Sequence, residues 1–225
     1  MQRLPRLHRG VPPRRHHDGG GRMIHPIEVE SYRILADRVD LAALGHGPLA
    51  QAVVARVIHS SADLDLAESM RVSEDDAAAG IRALRQGAPV ICDVEMVSHG
   101  ITGVATQCFL SQAADPAPDP AEPALTRSAA GMRLAAEAHP QGGIWVVGCA
   151  PTALVEIIRL AGQERIRPAL VIGMPVGFVG AAESKEALRS SGLSAISNVG
   201  EKGGSAMAAA ALNALVRIAG REESA

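Results

Sequence analysis

The stretch from Leu170 to Glu186, LVIGMPVGFVGAAESKE, constrains the fold more than any other part of the chain. Ala169 to Ile172 is an apolar run of strand length, and Gly173, Gly177 and Gly180 follow it where the strand should end, freeing the backbone from Cβ contacts. Glu183, Ser184 and Lys185 then form the polar opening of a helix. Strand, glycine loop and helix in this order make the unit whose carboxyl end hosts ligands in open α/β sheets. The glycine spacing does not match the dinucleotide fingerprint, which needs two glycines one residue apart. Taken alone it suits a tight turn as well as a ligand loop.

The same alternation runs along most of the chain. Helical spacing of apolar residues predicts helices from Pro26 to Val39 and from Pro48 to about Ile58, and Ser73 with Asp76 reads as a capping box for a helix through Leu84. PVICD is a short buried strand, Val94 to His99 a short helix and Gln107 to Leu110 a second strand. Ser111 to Pro123 carries four prolines and no core periodicity, so it reads as a surface loop. Thr126 caps the next helix, GGIWVVG is a strand, and Pro151 opens a helix through Leu160. Ala195 to Val199 is the last strand, and an alanine-rich helix runs from Ser205 to Ile218. Strands that alternate with helices call for a mainly parallel sheet covered by helices on both faces, in one α/β domain.

Composition narrows the function. The chain has 225 residues and 47% hydrophobic content, enough to bury a substantial core. Charged residues or turn formers interrupt each apolar run well short of a membrane span. The three cysteines, Cys92, Cys108 and Cys149, are unclustered and form no CxxC pair, which speaks against a zinc site or a disulfide framework and for a reducing cytoplasm. Residues 1–22 hold six of the 22 basic residues and one of the 24 acidic ones, broken by GVPP and DGGG, and read as a disordered extension ahead of a domain over 23–225. Met23 is a plausible true start. Beyond the extension 16 basic residues face 23 acidic ones, a net charge of −7. That balance, with four aromatic residues in all, excludes a nucleic-acid surface built on cations and stacking rings.

A parallel sheet puts the loops after its strands on one edge. Asp93 and Glu95, Cys149 to Thr152, Gly173 to Lys185 and Gly200 to Ser205 should meet there. Helix N-termini beside cations, as at Arg127 next to Thr126, suit carboxylates or phosphates, so the expected ligand is anionic. For Arg127 a solvated helix cation is an equal alternative, and for Gly203, Gly204 and Ser205 a plain helix-initiating turn is the commoner one. His59 ends an apolar helix in RVIHSSAD, where a hydrogen-bonded structural histidine is commoner than a catalyst; His99 in MVSHGI is similar. The chain lacks HExxH, GxSxG and GxxxxGK[ST], so metal hydrolysis, serine acyl transfer and nucleotide hydrolysis lack their usual parts.

Several of these segments together resemble one family. RVIHSSAD, GAPVICDVEMVSHGI, TRSAAGMRLAA, APTAL, PALVIGMPVGFVGAAESKEAL and KGGSAMAAAALNAL are similar to the corresponding stretches of precorrin-8X methylmutases of cobalamin (corrin) biosynthesis, over nearly all of residues 26 to 218. The resemblance implies a homodimeric α/β isomerase that moves a methyl group of the macrocycle from C-11 to C-12, turning precorrin-8X into hydrogenobyrinate with no added cofactor and no bound metal. It equally admits a cobalt-precorrin-8 methylmutase giving cobyrinate, and hand-over of product to adjacent pathway enzymes. It makes His59 the catalytic histidine and Arg127 a ligand for a substrate carboxylate, with Ser31 and Thr102 lining the pocket. The glycine loops then add Gly177, Glu183, Ser184, Lys185, Gly203, Gly204 and Ser205 to the substrate site. Two positions depart from the family pattern: Cys149 stands where Asn is usual before APTAL, and Glu201 where Arg is usual before KGGS. Each removes a hydrogen-bond donor.

Two other readings stay open on sequence. One is a tetrapyrrole-binding protein that holds or passes on its ligand without turning it over. The other is a nucleotide-dependent α/β enzyme that uses the glycine loop for phosphate, against which the glycine spacing already argues.

Overall fold

The computed structural model describes residues 25–113 and 125–221. The basic stretch 1–22 and residues 114–123 of the proline-rich segment lie outside the described residues. The elements follow one another as α1 (Pro26–Arg38), α2 (Pro48–Ser61), α3 (Leu66–Ser69), β1 (Met70–Arg71), α4 (Glu74–Arg85), β2 (Val90–Cys92), α5 (Glu95–Gly100), β3 (Thr106–Cys108), α6 (Arg127–Ala138), β4 (Ile144–Val147), α7 (Pro151–Gly162), β5 (Leu170–Gly173), α8 (Ala181–Ser190), β6 (Ala195–Asn198) and α9 (Ser205–Arg221).

The six strands form one sheet in the order β1-β6-β5-β4-β2-β3. All neighbours pair in parallel except β1, which runs antiparallel to β6 with Met70 opposite Asn198. From β2 the chain adds β3 on one side and then β4, β5 and β6 on the other, so the strand order reverses between β2 and β4. In a doubly wound sheet that reversal opens a crevice at the carboxyl edge.

Why the sheet must be covered on both faces is visible in its central strands. Ile144 and Val146 of β4, Leu170 and Ile172 of β5, and Val90 and Cys92 of β2 belong to one apolar core. Trp145 and Val147, Val171, and Ile91 belong to the other. The two-residue period of a strand sends alternate side chains to opposite faces, and here both are apolar. α4, α5 and α9 cover the first face, with Ala208, Ala211, Leu212 and Leu215 of α9 fully buried. α6, α7 and α8 supply the second core through Met132, Leu154, Ile157 and Leu188. α2 packs mainly on α9 and α4, and α1 lies on α2 as an outer layer.

The departures from the sequence reading are local. β1 and α3 have no periodic signal, because two and four residues are too few to carry one. α2 continues to Ser61, and α8 begins at Ala181, where Gly180 in the left-handed conformation (φ 78°) turns the chain into the helix. β3 spans Thr106–Cys108, ahead of the expected Gln107 to Leu110. Ser73 does cap α4, accepting from the Asp76 N–H at 3.0 Å. The Asp76 carboxylate accepts from the Ser73 hydroxyl rather than from its N–H, and its other oxygen accepts from the Ser194 hydroxyl and the Ala195 N–H, tying α4 to the start of β6.

Candidate functional site

At the reversal point, Asp93 follows directly on β2 and is fully buried. Its carboxylate accepts from the N–H groups of Gly148 (3.1 Å), Cys149 (2.9 Å) and Ala150 (2.9 Å), the residues that lead into α7. Ala150 is the N-cap of α7 and the other two donors belong to the turn before it, backbone N–H groups of the kind that phosphate-binding folds turn towards their ligand. An internal anion holds them here. Burial pushes the Asp93 carboxyl above its ordinary range, and the backbone N–H bonds pull against that shift. The Cys149 side chain is exposed at the rim of this turn.

The glycine loops meet next to it. The Gly177 N–H donates to the Glu201 carbonyl (3.1 Å), and the Gly204 N–H to the Met174 carbonyl (2.8 Å). A side chain on Gly203 would collide with the carbonyl oxygens of Met174 and Pro175, so the two loops can cross only because residue 203 has none. Lys185 lies under this crossing, fully buried, and donates from Nζ to the Lys202 carbonyl (2.6 Å) and to Asn198 Oδ1 (3.2 Å). Burial lowers its pKa to about 8. Ser184 is buried too and donates to the Ala181 carbonyl, and Ser205 is buried as the first residue of α9. Glu183 is exposed on the first turn of α8. On the rim of the crossing, Phe178 and Val179 are 90% and 88% exposed.

The crossing also adjoins the end of α2. Lys202 Nζ donates to Asp63 Oδ2 and Asp65 Oδ2, both at 2.7 Å, just past the helix that carries His59. A hydrogen bond of 2.7 Å joins His59 Nδ1 to the Ser31 hydroxyl on α1, and the Tyr32 ring stacks on the imidazole with centroids 5.0 Å apart. No hydrogen bond is made to His59 Nε2 among the described residues. Partial burial holds the His59 pKa below the ordinary 6.5; the Arg56 charge adds to that effect and Glu28 opposes it. Glu28 accepts from Arg56 (2.9 Å) and Arg217 (2.7 Å), joining α1, α2 and α9 behind the histidine. Hollows flank the Ser31 and Tyr32 pair: one of about 460 Å³ against Ile27 and Ile34, and one of about 680 Å³ between α1, α2 and α9.

Arg127 and Thr102 bond to other elements of the fold. Arg127 is exposed at the start of α6, with Nε donating to the Leu110 carbonyl just after β3. The Thr126 and Thr152 hydroxyls bond at 2.7 Å, so the N-termini of α6 and α7 lie side by side. Thr102 is exposed, and its N–H donates to Asn213 Oδ1 at 2.9 Å. Asn213 lies eight residues beyond Ser205, roughly 12 Å along α9 at 1.5 Å per residue. The Tyr32 stack, the Glu28 bridge and Asn213 are absent from the sequence reading. No local motif signals a bond from Glu28 to a residue 189 positions away.

Known proteins show which family the chain falls in. The sequence pattern of the family described as precorrin-8X methylmutase matches residues 26–218. A cobalt-precorrin-8 methylmutase of Methanocaldococcus jannaschii is 40% identical over 175 residues, 76% of this chain and 80% of that protein. A precorrin-8X methylmutase of a Sinorhizobium species is 39% identical over 205 residues, 85% of this chain and 93% of that one. The crystal structure of a precorrin-8x methyl mutase from Thermus thermophilus superposes with a TM-score of 0.74 at 34% identity, covering 86% of this chain and 95% of its own. With the matched region running from α1 to the last turns of α9, the chain belongs to the precorrin-8X methylmutase family.

Proposed function

We propose that this chain is an isomerase that moves the methyl group on C-11 of precorrin-8X to C-12, giving hydrogenobyrinate. The observation that carries the proposal is His59: its Nδ1 is engaged by Ser31, its ring is stacked by Tyr32, and its Nε2 has no partner among the described residues. A sigmatropic methyl shift needs neither nucleophile nor redox partner, and its barrier depends on the protonation of the conjugated ring nitrogens. A histidine fixed on one side and open on the other can deliver that proton.

The surroundings suit a flat, conjugated ligand fringed with carboxylates. Phe178 and Val179 offer an apolar rim at the glycine crossing, next to the start of α8, while Arg127 in the first turn of α6 offers a positive end for a carboxylate arm. The proposed substrate contacts are Ser31, Thr102, Arg127, Gly177, Glu183, Gly203 and Gly204. Ser184, Lys185 and Ser205 act from beneath, holding the loops. The family resemblance implies a homodimer whose macrocycle sits near the subunit interface. Asp93 occupies the Gly148, Cys149 and Ala150 N–H groups, so the turn at the strand reversal offers no phosphate cradle, and the glycine spacing of the 173–180 loop argues against one there.

The relatives are named for precorrin-8X and for cobalt-precorrin-8 at nearly equal identity, so the test supplies both. Anaerobic incubation with precorrin-8X and with cobalt-precorrin-8, followed by absorbance, should show conversion of at least one. Binding of product with no turnover of either would leave a tetrapyrrole-binding protein instead. Light scattering at micromolar concentration should give a dimer mass, and a fully active monomer would remove the interface from the proposal.

A further inference from the structure

Lys202 is held at both ends. Its carbonyl accepts from Lys185 Nζ at 2.6 Å and from Asn198 Nδ2 at 2.7 Å, one donor a fully buried ammonium and the other a fully buried amide. Its side chain reaches the opposite way, to the carboxylates of Asp63 and Asp65, each at 2.7 Å. Between those anchors the backbone continues into Gly203 and Gly204, the residues that cross the β5 loop. The two aspartates lie immediately past the last turn of α2, and His59 is within that turn. Ala62, between helix and aspartates, sits in the left-handed region (φ 56°, ψ 22°), with its N–H bonded to the Ile58 carbonyl at 2.7 Å. A residue with a Cβ takes that conformation only against steric resistance, and such residues persist where the surroundings over-determine them. The left-handed turn directs Asp63 and Asp65 to the place where Lys202 meets them.

An exposed ion pair of this kind adds little to global stability, since solvent screens it. What it can set is position. His59 is oriented within the α1 and α2 layer by Ser31 and Tyr32, but those contacts do not relate the layer to the glycine loops. Besides the packing of α2 on α9, the Lys202 side chain adds a direct connection at the end of α2, from a residue whose backbone is part of the loop crossing.

We infer that Lys202 is a positioning residue: it fastens the end of α2, and with it His59, to the crossed glycine loops, setting the approach of the imidazole to whatever those loops hold. This rests on the methylmutase reading for the ligand and for the step that His59 performs.

The experiment compares wild type, Lys202→Met, Lys202→Arg and the pair Asp63→Asn with Asp65→Asn. Single-turnover rates and product titrations are measured on folded protein, with hydrogen exchange of residues 57–63. Because small misplacements of a catalytic group are amplified in rate, Lys202→Met should slow the bound reaction by about tenfold or more while product affinity changes by less than about threefold. The aspartate pair should reproduce that loss, combining it with Lys202→Met should add nothing further, and Lys202→Arg should restore most of the rate. Exchange in the last turn of α2 should rise in Lys202→Met and recover in Lys202→Arg.

A rate within about twofold of wild type in Lys202→Met, with unchanged exchange, would overturn the inference. Loss of product affinity in Lys202→Met but not in the aspartate pair would also overturn it, making Lys202 a direct ligand of a substrate carboxylate. Exchange needs no substrate. If wild type turned nothing over, the methylmutase reading would fail, while the fastening itself would still be judged by the exchange of α2.

Discussion

Replacing His59 with Asn separates chemistry from folding, because the two consequences differ greatly in size. The imidazole stacks on Tyr32 at 5.0 Å and bonds Ser31 at 2.7 Å. Losing the stack costs about 0.5–1.5 kcal/mol, and an Asn amide can keep a bond to Ser31. For a domain of this size about 1 kcal/mol moves Tm by roughly 2–4 °C, and against a typical stability of about 5–15 kcal/mol it leaves the folded fraction near unity at 25 °C. Loss of proton transfer should lower turnover by about 10² to 10⁴, equivalent to roughly 2.7–5.4 kcal/mol on the barrier. Single-turnover rates on folded His59→Asn protein, with product titration alongside, should show that drop at nearly unchanged product affinity. The pH profile adds a second check. His59 is held below 6.5 by burial and by Arg56, so the neutral ring predominates at pH 7. If the ring acts as an acid, the rate must rise as pH falls through 6.5 and level off below the lowered pKa. The stability effect has the opposite sense. The folded state binds this proton less readily than the unfolded state, so a penalty absent well above pH 6.5 appears as pH falls below it. A near-normal rate in the variant, or a loss that follows the folded fraction, would refute His59 as the acid and make His99 the next residue to test.

Arg127→Ala removes a cation from the first turn of α6 and should weaken product binding by about 1.5–3 kcal/mol with a smaller effect on the bound rate; unchanged affinity in a titration would take Arg127 out of the site. Gly203→Ala should force the two glycine loops apart, because its Cβ would meet the Met174 and Pro175 carbonyls, and should lower stability by about 1–3 kcal/mol in denaturant titrations. A wild-type midpoint there would mean the crossing has slack. Glu156 is buried between Arg133 (2.6 Å) and Arg159 (2.6 Å), and although burial raises its pKa, bonds from Arg159 and Arg133 outweigh that and hold it below the ordinary 4.5. Its contribution is therefore complete above pH 4.5 and lost as pH falls through the lowered value. Glu156→Gln should cost about 1–2 kcal/mol at pH 7, with both arginines partly solvated, and the Tm difference from wild type should vanish on acidification; a constant difference would contradict the ion pairs.

Local chemistry carried much of this protein. The unbroken apolar runs at 144–147 and 170–173 could only be strands buried on both faces, which dictates helices above and below the sheet. Pro26, Pro48, Pro151, Ser73 and Thr126 marked helix starts correctly because capping depends on residues close in sequence. The meeting of the four loops at one edge also followed, since parallel strands leave their carboxyl ends on one side. Tertiary structure decided which partner each polar group met. Lys185 and Ser184 looked like ligand groups beside a glycine loop, and both are buried under it, because a helix that opens at Ala181 turns those positions inward. Asp93 could have faced a ligand, but the strand reversal sets it against three N–H groups of α7's approach. His59 owes its Ser31 and Tyr32 contacts to the docking of an outer helix 28 residues earlier in the chain. Periodicity and capping act over a few residues and are written in the sequence. A hydrogen bond between distant residues depends on the relative placement of whole elements, which only the assembled core determines.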